Sequence, residues 1–256
     1  GPSPAWLVKL LEAAGQRTVN NVVDVTNFVM LDIGQPLHAF DAAQLSSLSL
    51  GVRSAKQDEK MTILSGEEMA LPAGALVITD HASGVPVGIA GIKGGKAAGI
   101  SETTTDVVIE SANFDGTTVR KCAQTLKLFT DASSRFQNRI SPELAAYGMR
   151  DVLALIVSIA GGDVEGVVDA YPLKTGPVSV PVSIAFIARK LGLSVSREDV
   201  EGVFTRLALP FVPEGDGYLV SAPFYRRDIE RPEDLVEEVG RILGYDRVPS
   251  TPLPAT

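Results

Sequence analysis

The stretch "VVDVTNFVMLDIGQPLHAFD" (residues 22–41) decides how the chain is read. Val22, Val25, Val29 and Ile33 recur at helical spacing, which predicts a helix over 22–33. "GQPLHAFD" (34–41) then reads as a turn, because Gly, Gln and Pro break the periodicity. The turn carries His38, one of two histidines in the chain. Upstream, Ser3 and Pro4 form an N-cap and first helical position for a helix with Trp6, Leu7, Leu10 and Leu11 on one face, ending at Gly15. Downstream the character changes. Short apolar or alternating runs at 48–54, 61–64, 69–71, 75–79, 85–92 and 106–111 are separated by Gly, Pro and Ser, the rhythm of a barrel or sandwich. Helices are predicted at 117–127 and at 142–160, the latter capped by Ser141, and a strand at 164–170 closes the unit. The fold class is α+β, with a β-barrel-like core and flanking helices.

Tyr171-Pro172 through Gly176-Pro177 reads as a linker to a smaller unit. There the spacing predicts helices at 183–191, 197–208 and 232–243, the second capped by Ser196 with Asp199 completing a capping box. A hairpin around 214–217 leads into a strand at 218–222. Three helices and a hairpin make a winged-helix-like composition. The expected boundaries are 1–172, 173–250, and a linker at 251–256 within "PSTPLPAT", which reads as severed from something larger.

The 256 residues are 45% hydrophobic, enough for a sizeable core. No apolar run approaches the length of about 20 needed to span a bilayer. A single cysteine, Cys122, excludes an internal disulfide framework and suits a reducing cytoplasm. Two histidines and one cysteine argue against a zinc site. A net charge of −8 argues against a duplex-DNA-coating protein. Yet Arg120, Lys121, Lys127, Arg135 and Arg139 fall in a segment whose only acid is Asp131, and Lys93 and Lys96 form another cationic stretch. This is either a local nucleic-acid contact or a solvated helix face.

The common enzyme signatures are missing: no dinucleotide fingerprint, Walker loop, H-E-x-x-H or G-x-S-x-G. "GIKGGK" (91–96) reads as a strand running into a tight turn where backbone approaches a ligand or another strand. Glu110 ends the apolar run "DVVIE" ahead of the small Ser111 and Ala112, and Thr130 to Ser134 form a polar loop. Taken singly, His38, Glu110 and this loop are all consistent with ordinary structure. Asp228, Asp234, Glu237 and Glu238 either gather oxygen ligands for a magnesium-like ion or complement a helix dipole.

Taken in order, "SPAWL" (3–7), "NNVVDVTNFVMLDIGQPLHAFD" (20–41), "GIAGIKGG" (88–95), "VVIESANFD" (107–115), "TDASSRF" (130–136) and "YRRDIERPEDLVEEVGRILGYDRVP" (225–249) resemble the beta subunit of bacterial phenylalanine–tRNA ligase. The resemblance implies a tRNA-editing domain followed by a winged-helix-like domain. It implies hydrolysis of tyrosine wrongly attached to tRNA(Phe), with His38, Glu110 and Thr130 at the reacting end. Gly94, Glu110, Thr130 and Ala132 would form the amino-acid pocket, and Arg120, Lys121, Lys127 and Arg135 would meet the tRNA. Asp228, Asp234, Glu237 and Glu238 would hold Mg2+ shared with an alpha subunit, and the metal is expected to be weak or absent without it. The ATP and phenylalanine site belongs to that alpha subunit, so ligation itself is not expected here.

Three departures from the family pattern stand out: "RFQNR" (135–139) for RFERG, Lys96 for an acid, and Lys127 for glycine. All make the region more basic. The competing reading is a non-catalytic tRNA- or subunit-binding scaffold whose editing has decayed.

Overall fold

A computed structural model of the chain describes residues 1–248. The chain divides into two units, Gly1–Tyr171 and Pro172 onward. The expected linker at 251–256 lies outside the described residues.

The first unit opens with α1 (Ala5–Ala13) and α2 (Asn21–Ile33). Pro4 is the N-cap of α1, and Ser3, expected there, donates its hydroxyl to Asp24 Oδ2 at 2.5 Å. Asn20 caps α2 by accepting from the Val23 N–H, and Gly34 ends it in the left-handed region at φ 83°. That turn is shorter than the sequence suggests. Residues 37–41 form strand β1 (Leu37–Asp41) instead of extending the turn, and β1 pairs antiparallel with β8 (Val107–Ser111) across a long sequence separation.

The β1–β8 ribbon lies between two apolar layers. Leu37 and Ile109, on one face, pack with Leu7, Leu11, Val25, Val29 and Val152 from α1, α2 and α5 (Leu144–Ala160). Phe40 and Val108, on the other face, pack with Ile78, Val87, Ala90 and Ala98. Side chains alternate along a strand, so His38 and Glu110 share the second face.

That second layer is not a closed barrel. Strands β2 (Leu50–Ser54), β5 (Leu76–Asp80), β6 (Pro86–Ile89) and β7 (Lys93–Gly94) make one four-stranded antiparallel sheet. Strands β3 (Lys60–Thr62) and β4 (Glu68–Ala70) pair only with each other, apart from an isolated Ile63–Gly95 bridge. Three-residue strands and a two-residue edge are too short to carry a continuous ladder round a barrel. The remaining helices are α3 (Gly116–Leu126) and α4 (Asp131–Phe136), the latter where a polar loop was expected. The expected strand at 164–170 does not form: residues 161–170 carry no regular structure and Val168 is almost fully exposed.

In the second unit β9 (Val178–Ser183), β11 (Gly217–Ala222) and β10 (Phe211–Glu214) form an antiparallel sheet in the order β10–β11–β9. Helices α6 (Ile184–Leu191), α7 (Arg197–Arg206) and α8 (Pro232–Leu243) complete it around Ile187, Val200, Phe204, Tyr218, Val220 and Leu235. Strand β9 occupies residues where only a linker and the approach to a helix were expected. Among the described residues no helix is long and apolar enough to cross a membrane.

Candidate functional site

The β1–β8 register places His38 opposite Glu110. Both side chains border one cavity of about 70 Å3, walled by Pro36, Leu37, Ile78, Gly91, Ile92, Gly94, Phe114, Ala132 and Phe136 among others. By the volume a water centre needs, this is room for several water molecules. The wall is mostly apolar and aromatic. Its polar atoms are unusual: His38 Nε2 and Glu110 Oε2 are both out of contact with solvent and have no hydrogen-bond partner. Unpaired buried polar atoms each cost about 1–3 kcal/mol, so two on residues lining one cavity mark it as the candidate binding site.

Burial sets the electrostatics. Removal from water pushes the Glu110 carboxyl up to about 7, since nothing compensates its charge. Removal from water, and then the nearby positive charge of Lys93, hold His38 down at about 4. At neutral pH His38 is therefore uncharged, and Glu110 is poised between acceptor-only carboxylate and neutral acid.

Gly94 is explained by close approach. A Cβ there would lie 2.3 Å from His38 Cε1 and 2.6 Å from Nε2. The imidazole stacks over bare backbone on that side and meets the edge of Phe40 on another, with ring centroids 4.6 Å apart. Gly91 is left-handed at φ 70°, and a Cβ there would press on Phe136, Val119 and Phe114 at about 3.0 Å. The "GIKGG" run thus lets backbone form a cavity wall that side chains would fill.

Thr130 acts one step back. It caps α4 in a reciprocal box with Ser133, and its hydroxyl donates to the Ile92 carbonyl at 2.8 Å. This ties the start of α4 to the glycine-rich segment and sets Ala132 in the cavity wall. The structure therefore gathers His38, Gly94, Glu110 and Ala132 around one space, with Thr130 holding the loop rather than lining it. The sequence reading passed over the cavity-wall residues Ile78, Phe114 and Phe136. Phe114 and Phe136 do fall within family-like stretches, but apolar periodicity marks all three only as core.

The cationic residues are unequal. Arg120 and Lys121 lie on the exposed side of α3, opposite its buried Val119, Cys122 and Ala123. Lys127 is exposed at the C-cap of α3 with φ 53°, and Arg139 is exposed at φ 59°. Both occupy backbone that favours glycine, the residue expected at each position from the resemblance. Arg135 is half-buried and engaged: Nη1 donates to Asp131 Oδ1 at 3.1 Å and to the Asp131 carbonyl at 2.9 Å.

The acids expected to hold magnesium have other partners. Arg226 grips Asp228 at 2.7 Å and also reaches Glu238 at 3.2 Å. Arg241 meets Glu238 from the next turn at 2.6 Å. Asp234 Oδ2 accepts from the N–H groups of Glu230 and Arg231 at 2.9 and 2.8 Å, and Glu237 is exposed. Two guanidinium groups among four carboxylates do not fit a divalent ion. Among the described residues no group of three or more His, Cys, Asp or Glu side chains could hold a metal ion.

With this geometry in hand, the kinship is direct. Residues 1–161 match the B3/4 domain family, and residues 180–245 match the tRNA synthetase B5 domain. The chain is 43% identical over 250 residues to the phenylalanine–tRNA ligase beta subunit of Clostridium acetobutylicum, which aligns over 97% of this chain and 31% of that protein. The corresponding subunits of Halalkalibacterium halodurans and Geobacter sulfurreducens are 43% and 40% identical, each over 98% of this chain and 31% of theirs. Among solved structures, an N-terminal fragment of the phenylalanyl-tRNA synthetase beta subunit from Pyrococcus horikoshii aligns with a TM-score of 0.44 and 16% identity, over 85% of this chain and 64% of that one. The chain belongs to the phenylalanine–tRNA ligase beta-subunit family and spans about a third of the length of the relatives it matches.

Proposed function

We propose that this chain is a proofreading hydrolase that removes tyrosine from misacylated tRNA(Phe), with water as the nucleophile. The observation that carries the reading is the pair of unpaired buried atoms, His38 Nε2 and Glu110 Oε2, facing one aromatic-walled cavity. A phenol fits that combination: the ring meets Phe114, Phe136 and Ile78, and the hydroxyl donates to Glu110. A pocket selecting phenylalanine discriminates weakly against an added hydroxyl, whereas a pocket built to bond that hydroxyl rejects the molecule lacking it. Phenylalanine would leave the Glu110 carboxyl buried and unsatisfied.

His38 suits positioning better than proton transfer. A base held at about 4 is far from the operating pH that general catalysis favours. Its neutral ring can orient the attacking water or the terminal adenosine, and holding reactants in place supplies a large share of such barriers. Arg120, Lys121 and Lys127 are the open cations for the tRNA backbone. Arg135 serves through Asp131, on which Gln16 also bonds at 2.9 Å. The second unit is a winged-helix-like partner surface, and the whole beta subunit would work in the cytoplasm with an alpha subunit carrying the ligation chemistry. The four acids of the second unit, of which Asp228 and Glu238 are gripped by arginines, enter no step of the hydrolysis.

Deacylation of Tyr-tRNA(Phe) and Phe-tRNA(Phe) by the chain tests this. Glu110→Ala is expected to slow tyrosine release at least tenfold and to narrow the gap between the two substrates. Equal rates for wild type and variant on both substrates would remove Glu110 from the site.

A further inference from the structure

Gln35 has no assigned role, yet it is completely buried, with its Oε1 lacking any partner. Its position explains why it is there. The β1–β8 ladder ends at the pair Leu37–Ser111, and the next position on β1 is Pro36. Proline has no N–H and cannot extend the ladder. Gln35 supplies the missing donor from its side chain: Nε2 donates to the Pro36 carbonyl at 2.9 Å and to the Ala112 carbonyl at 2.8 Å. One amide thus ties the entry of β1 to the exit of β8, across 77 residues of sequence. The same corner is clamped from the helical side. Ser111 Oγ donates to the Ala145 carbonyl of α5 at 2.7 Å. Gly148 of α5 leaves a recess for Gln35, since a Cβ there would lie 2.6 Å from Gln35 Cγ and 3.3 Å from Ser111 Oγ.

The buried polar side-chain atoms without a partner, among the described residues, are Gln35 Oε1, His38 Nε2 and Glu110 Oε2. Two of them lie on this ribbon and the third sits two residues ahead of its first strand. We propose that Gln35 is a positioning residue for the pocket: it replaces the ladder bond that Pro36 removes and so holds His38 opposite Glu110 at the cavity. The inference rests on the editing reading for its activity readout, and on the burial of Glu110, not on that reading, for its spectroscopic one. Gly148 is its structural counterpart, because the recess decides where the amide sits.

The test compares wild type, Gln35→Met, Gly148→Ala and the double variant, all in the full 256-residue chain. Methionine keeps length and volume but donates nothing. Misplacing a reacting geometry by a fraction of an ångström to an ångström typically costs roughly 10- to 100-fold. The expected result is a drop in kcat for Tyr-tRNA(Phe) of at least tenfold in each single variant, with KM within about twofold. The double variant should lose little more than either single one, because both act on the same contact. By NMR, the Glu110 titration midpoint should fall in both single variants as water gains access to the carboxyl. A mere packing role would lower Tm without moving that midpoint or splitting kcat from KM. Unchanged kcat and an unchanged Glu110 midpoint in a folded Gln35→Met chain would overturn the proposal. If wild type itself failed to hydrolyse Tyr-tRNA(Phe), the editing reading would fall, and the midpoint comparison would still decide the role of Gln35.

Discussion

Replacing Glu110 by glutamine should stabilise this protein at alkaline pH and leave it unchanged in acid. Glutamine keeps the shape and removes the charge. In the folded chain burial raises the carboxyl from 4.5 to about 7. At 1.36 kcal/mol per pH unit, this difference corresponds to about 3 kcal/mol. The sign follows from proton uptake. Between 4.5 and 7 the folded state keeps a proton that the unfolded state has lost, so the stability tied to neutral Glu110 is complete below 4.5 and gone once the pH passes 7. The glutamine variant never makes that loss. Its advantage should be near zero at pH 4, grow through pH 5 and 6, and level off near 3 kcal/mol by pH 8.

His38 makes the wild type a poor place to see the effect directly. Its pKa is lowered from 6.5 to about 4, so folding releases a proton there and stability is lost as pH falls from 6.5 towards 4. Lys93 contributes to that lowering, and desolvation is the larger cause. The two slopes oppose each other over the window they share, roughly pH 4.5 to 6.5. Glu110→Gln uncovers the histidine slope, and the variant alone should gain stability steeply as pH rises across it. Urea unfolding of both proteins at half-unit pH steps measures the difference, with pH-insensitive groups cancelling. A difference that stays constant from pH 4 to 8.5 would refute the claim that Glu110 is buried and uncompensated.

Gly94→Ala should be more damaging than its one methyl suggests. The added carbon meets His38 at 2.3 Å, so the ring must leave its place, with a stability loss of about 1–3 kcal/mol by denaturant melt and loss of Tyr-tRNA(Phe) hydrolysis. Lys127→Gly and Arg139→Gly should each raise stability, by roughly 0.5–1 kcal/mol, because φ of 53° and 59° strains a side-chain-bearing residue. Filter-binding to tRNA at low salt should weaken in the same two variants if their charges meet the backbone. Glu238→Ala removes a nearly buried carboxylate shared by Arg226 and Arg241, while Arg226 keeps Asp228 and Arg241 is half exposed, and should destabilise the second unit by about 1–2 kcal/mol in a thermal melt. Millimolar magnesium should leave the wild-type Tm where it is, since no ligand set awaits the ion among the described residues.

Much of the helical frame was legible because its signals are local. Val25 and Val29 mark the buried stripe of α2, Ser196 with Asp199 caps α7, and Gly244 follows α8. The strands were legible as segments but not as a sheet order. Alternation in "LHAFD" is only five residues long, and its partner "VVIES" lies about seventy residues away, so β1 looked like the tail of a turn. Apolar residues at 164–170 suggested a strand that has no neighbour to pair with. Thr130 to Ser134 reads as polar loop chemistry because a six-residue helix is too short to show a period, although its Thr130 and Ser133 box is a local signal. Family-like residues pointed to the candidate site, yet only pairing brings His38 and Glu110 face to face. Gln35 registered only as part of a turn within a family-like stretch. Its work is to replace a bond that proline cannot make, and this is visible only once both strand ends are in place.

The ribbon between two apolar layers also limits how this pocket can change. Its strands alternate between greasy and reactive faces with a period of two. Deleting or inserting one residue in 37–41 or 107–111 would turn Leu37 or Ile109 towards the cavity and send His38 or Glu110 into the helical core. Such a lineage would lose pocket and core in a single step. New amino-acid preferences are therefore reachable by exchanging side chains on the wall, at positions such as Ala132 or Ile78, but not by changing strand length.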